Sequence, residues 1–112
     1  MANLDMFKKE CEYWISYFGL LDWDIAYDEK KLKARATYSS NLVGRVATLT
    51  IDNTKMEEEQ IKKSAFHEIC HLLISELSYY TTRVTDNSEE IQHIFIRRME
   101  NSVFKTKFEQ TN

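Results

Sequence analysis

Residues 54–78 run without a proline or a glycine. Thr54-Lys55-Met56-Glu57 at the head of this stretch fits a capping box, with Thr54 as N-cap and Glu57 reaching back. Ile61, Ala65, Phe66, Ile69, Leu72, Leu73 and Leu77 follow at largely helical spacing. The expectation is one long helix reaching about Ser78, around which the rest of a 112-residue chain must be arranged.

The flanking segments read as shorter elements. Leu4, Phe7, Cys11, Trp14, Ile15 and Phe18 recur at helical spacing, and Gly19 supplies a stop, so residues 4–18 are expected to be an amphipathic helix. Trp23, Ile25 and Tyr27 alternate with polar or small residues and predict a strand. Leu32, Ala34, Ala36 and Tyr38 predict a second, with a loop over 39–44. Arg45–Ile51, rich in β-branched residues, predicts a third. A further helix starts near Asp86-Asn87-Ser88-Glu89-Glu90 and carries Ile91, Ile94, Phe95, Met99 and Val103. The polar tail, residues 106–112, is expected to fray. The order α-β-β-β-α-α implies a single α+β domain over 1–112, with helices packed on a short sheet.

Composition narrows the partners. The net charge of -3 argues against nucleic acid, which is bound through a basic surface. No apolar run approaches 18 residues, so no membrane span is expected. The two cysteines, Cys11 and Cys70, do not make a secreted-type disulfide framework, and MANLDMFKKE has no signal-peptide core. A cytoplasmic setting is the expectation.

The long helix also carries His67-Glu68-Ile69-Cys70-His71. At ~100° per residue, the two histidines sit ~40° apart on one face, one turn from each other. One ion could bind both imidazoles, zinc being the metal this pattern suits. Glu68 lies on the flank, placed to take a proton from an activated water. As core residues, three polar side chains in an apolar helix would each cost ~1–3 kcal/mol without a partner.

Two histidines need a third protein ligand. Glu89, Glu90 and His93 all fall in the first turns of the last helix. If the apolar face centres on Ile91, Phe95 and Met99, Glu89 sits at its border and Glu90 points away. Glu89 is thus the expected ligand, with His93 one turn later as a catalytic hydrogen-bond donor. Glu90 and His93 remain alternatives for the ligand. Acidic residues here also suit a helix start, and Asp86-x-x-Glu89 fits a capping box.

Cys70 and Cys11 read as buried small hydrophobes. Tyr79, Tyr80 and Arg97 are candidate oxyanion donors, though packing or surface roles are commoner. Lys30, Lys31, Lys33 and Arg35 read first as a solvated sheet edge and only second as a site for an acidic partner. Were the third strand an edge, an extended peptide could pair with it beside the metal helix.

H-E-I-C-H at 67–71, the strand VATLTID before it, and E-E-I-Q-H-I-F-I-R-R-M-E-N at 89–101 together resemble the zincin metallopeptidases. The nearest form is the minimal gluzincin-like one found in phage and prophage genomes. The resemblance implies a zincin core, His67 and His71 as zinc ligands, Glu68 as catalytic base, and Glu89 or Glu90 as the third ligand. It implies a peptide or protein substrate. The HE-x-CH core also resembles the SprT-like group, but that group's downstream His-Gly segment and Cys-rich zinc ribbon are missing. Two other functions keep the same metal helix: a non-catalytic zinc-binding interaction module, and a zinc amidase acting on a non-protein amide.

Overall fold

A computed structural model describes residues 2–41, 43–81 and 88–111, with side chains described except at 2, 76–81, 88–92, 95 and 109–111. Helix α1 (Ala2–Tyr17) leads into strands β1 (Asp24–Lys30), β2 (Ala36–Asn41) and β3 (Val46–Asp52). Helices α2 (Glu58–Thr81) and α3 (Ser88–Met99) follow. A π-helical turn over Glu100–Phe104 then joins α3 to α4 (Lys105–Thr111). The chain is an α+β fold.

Gly19 ends α1 as its sequence suggests. Its φ is 73°, Leu20 N–H donates to Ile15 O at 2.8 Å, and Gly19 N–H donates to Ser16 O at 3.2 Å. This is the Schellman pattern, in which a residue without Cβ takes the left-handed turn at no steric cost.

The sheet order is β1-β3-β2. β3 pairs parallel with β1, from Asp24↔Val46 to Lys30↔Asp52. It pairs antiparallel with β2, from Ala36↔Ile51 to Asn41↔Val46. The third strand is therefore central, which corrects the notion of it as a free edge. Residues 31–35 must cross over the end of β3, so strand two starts at Ala36 rather than near Leu32. Asp52 holds that crossing: its carboxylate accepts from Leu32 N–H at 2.8 Å and its own N–H donates to Arg35 O at 2.8 Å.

The start of α2 also differs from expectation. Asn3 Nδ2 donates to Thr54 O at 2.8 Å, and Lys31 Nζ donates to Thr54 Oγ1 at 3.3 Å. Thr54 is thus held as part of the connection. The cap shifts three residues on, where Glu57 N–H donates to Gln60 Oε1 at 3.2 Å and Ile61 N–H to Glu57 O at 3.1 Å.

The core lies between α1, the inner face of the sheet and α2. Phe7, Cys11, Trp14, Leu49, Ile51, Ala65, Phe66, Ile69, Cys70 and Leu72 have no measurable exposure. Instead of fraying, the C-terminal segment is helical through Thr111. Lys107 Nζ pairs with buried Glu10 at 3.0 Å, and Phe108 stacks on Phe104. Glu10 also accepts from Trp14 Nε1 at 3.0 Å. A buried carboxylate needs such partners, and they anchor α4 on α1.

Among the described residues, no helix is long and apolar enough to cross a membrane.

Candidate metal centre

His67 and His71 sit near the middle of α2, and their Nε2 atoms are 3.2 Å apart. Two ligands held at about 2.0–2.1 Å by one tetrahedral ion would be about 3.3–3.4 Å apart. His93 comes across from α3, its ring centroid 5.8 Å from that of His67 and 5.0 Å from that of His71. One ring nitrogen from each of the three lies within 4.8 Å of the others. The three histidines together could hold one metal ion.

Each ring is held from behind. His67 Nδ1–H donates to Glu100 Oε2 at 2.9 Å. That bond fixes the tautomer and leaves Nε2 for the shared point. The Tyr38 ring on β2 stacks on the His71 ring at 5.2 Å and 14°. Ser75 Oγ donates to His71 O at 2.8 Å, so the 3.0 Å contact between Tyr38 and Ser75 has the Tyr38 hydroxyl as donor. Strand β2 and helix α2 are thus joined at the site.

Glu100 lies at the first position of the π-helical turn and is buried. Ser102 Oγ donates to Arg98 O at 2.8 Å, and Lys105 N–H reaches back to Glu100 O. A side chain taking a helix carbonyl is one way such a turn is widened, and π-turns recur at functional sites.

The electrostatics match a cation-binding site. Burial, with help from His67 and His93, pushes His71 down to about 4, so it is neutral near pH 7 and free to ligate. The hydrogen bond to Glu100 raises His67, against the pull of burial. Burial lifts Glu68 to about 7; His67 opposes this and Glu100 adds to it. The Glu68 carboxylate lines the cleft and makes no hydrogen bond to another described residue. A carboxyl with that value is matched to accepting and returning a proton near neutrality.

The cleft beside these groups has a volume of about 440 Å³ and is bounded by Ala34, Arg35, Ala36, Lys63, Ser64 and Arg97. Of the residues singled out in the sequence, the structure brings His67, Glu68, His71, His93 and Arg97 to one place. The side chains of Glu89, Glu90, Tyr79 and Tyr80 lie outside the described residues. Among the described residues, the donor placed beside the histidine pair is His93, the third of the alternatives.

The phase of α3 explains this. Ile96 is fully buried while Ile94 is 49% exposed. Among the described residues of this segment, the inward face holds Ile96 with His93 and Glu100 beside it; the side chains of Ile91 and Phe95 lie outside the described residues. Sequence reasoning missed Glu100, Tyr38 and Ser75. Glu100 carried a signal: seven residues after His93, it falls within ~20° of it around a helix.

Cys11 and Cys70 are buried and free, and burial raises both thiols. Such thiols are poor nucleophiles and poor metal ligands.

Comparison of the chain with models of known families, with characterised proteins and with solved structures gives no match.

Proposed function

We propose that this chain is a zinc-dependent hydrolase with a zincin-like site, cleaving amide bonds in peptides. The observation that carries this reading is the meeting of His67, His71 and His93 within 4.8 Å, beside a buried Glu68 lifted to about 7. Three imidazole nitrogens with an open position suit a catalytic rather than a closed structural zinc site. A closed site would have no use for a buried proton acceptor next to it.

When bound, the cation supplies Lewis acidity toward a water and an amide carbonyl. Glu68 takes a proton from the water as its oxygen bonds to the carbonyl carbon. Glu68 then gives that proton to the departing nitrogen as the C–N bond breaks, leaving a carboxylic acid and an amine. Glu100 keeps His67 oriented through Nδ1, and Tyr38 holds the plane of His71.

An extended peptide suits the cleft. β2 pairs with β3 on one side only and lies against α2 through the Tyr38–His71 and Tyr38–Ser75 contacts. Its other side offers backbone groups for strand addition. The reading is tested by assaying a quenched-fluorescence peptide library with metal-stripped and zinc-reconstituted protein. Cleavage restored by about one zinc per chain supports it; failure to bind zinc, or equal activity without it, refutes it.

A further inference from the structure

The chain as a whole is acidic, with a net charge of -3, yet the mouth of its cleft is basic. Arg35 enters from the crossing before β2, Lys63 from α2 and Arg97 from α3. All three are exposed. Three cations elsewhere are paired with acids: Lys62 with Glu58 at 2.9 Å, Lys107 with Glu10 at 3.0 Å, and Arg45 with Asp22 at 3.4 Å. None of the three cleft cations forms an ion pair with another described residue. The two carboxylates lining the cleft, Glu68 and Glu100, are buried and form no ion pair with the three cations, and Glu100 is engaged with His67.

The floor between these cations is small-sided, formed by Ala34, Ala36 and Ser64. It gives an extended chain room to approach. His67 and His93 line this cleft while His71 and Tyr38 do not, so the three cations lie on the His67 and His93 side of the site. Three cations converging on a cleft, with no ion pair among the described residues, raise the local concentration of anions and favour one of that sign when bound.

We propose that this side of the cleft is an anion subsite, and that the substrate is an acidic peptide carrying a carboxylate close to the scissile amide. This rests on the hydrolase reading for the word substrate, but the binding preference stands on the cleft alone. The carboxylate has two sources, an internal acidic side chain or a free C-terminus.

The test is fluorescence anisotropy with the full chain as purified, carrying Glu68→Gln to block turnover. Three labelled peptides are used: one with an internal Glu and an amidated end, its Gln isostere with an amidated end, and that isostere with a free C-terminal carboxylate. One or both carboxylate peptides should bind at least about fivefold more tightly than the neutral one at low salt, and which one does so identifies the source. That ratio should fall below about twofold in 0.5 M salt, and at low salt when Arg35→Gln and Arg97→Gln are added. Equal binding of all three peptides, no measurable binding, or a preference that survives the charge removal overturns the anion subsite. Turnover by the wild-type chain is read separately. A preserved preference without cleavage of any peptide would sink the hydrolase reading and leave the subsite standing.

Discussion

Glu100 Oε2 accepts the Nδ1 proton of His67 at 2.9 Å, across 33 residues of sequence. This bond links the π-helical turn after α3 to the centre of α2. It sets the direction of the His67 Nε2 lone pair, and with it the point that His71 and His93 share. Outer carboxylates of this type typically carry 10–100-fold in metal affinity. Glu100→Ala is therefore expected to weaken zinc binding by about that range, measured by competition with a chromophoric chelator. Glu100→Gln keeps an acceptor for Nδ1 and should lose less.

The third ligand is tested by a pair of substitutions. If the three histidines, whose ring nitrogens lie within 4.8 Å of one another among the described residues, are the ligands, His93→Ala should abolish tight zinc binding and Glu89→Ala should leave affinity within about threefold. The opposite order would make Glu89 the ligand and His93 its neighbour.

Glu68 gives a pH signature in the metal-free protein. Its folded-state value is about 7 against 4.5 for the free group. Between those values the unfolded chain releases the proton and the folded chain keeps it, so stability falls as pH rises through this window. A shift of that size corresponds to about 3 kcal/mol. Metal-free Glu68→Gln should match the wild type near pH 4.5 and exceed it by about 2–3 kcal/mol at pH 8. Urea denaturation across the pH range reads this difference, and a constant offset would remove burial of an ionisable Glu68 as its cause.

Tyr38 offers a test of how β2 supports the metal helix. Tyr38→Phe removes the bond to Ser75 and keeps the stack on His71, so it should cost about 0.5–1.5 kcal/mol with little effect on zinc. Tyr38→Ala removes both and should weaken zinc binding as well. Thermal melts with and without zinc separate the two effects.

The parts of this site that could be read from sequence are the local ones. His67 and His71 are one turn apart, so helical geometry alone puts them together. Gly19 ends α1 through bonds that span a few residues. The rest depends on contacts between distant segments. The central place of β3 follows from a parallel pairing with β1 that needs the chain to cross over its end. Thr54 was a sound cap by local chemistry, but Asn3 and Lys31 occupy its oxygens from elsewhere. The apolar residues of the segment after Ser88 do not by themselves register that His93 and Glu100 face the histidine pair. Helix α3 and the turn after it bring two polar groups, His93 and Glu100, against His67, and a hydrophobic pattern cannot register a face built on polar contacts. The side chain of Glu89, the ligand expected from sequence, lies outside the described residues.

The most direct test of a base at Glu68 compares turnover of one cleaved peptide by zinc-loaded wild type and zinc-loaded Glu68→Gln, at equal zinc content. A general base of this kind contributes about 10²–10⁴-fold, so kcat should fall by that factor while zinc stays at about one per chain. Unchanged turnover with zinc still bound would contradict the assignment of Glu68 and of hydrolysis at this centre.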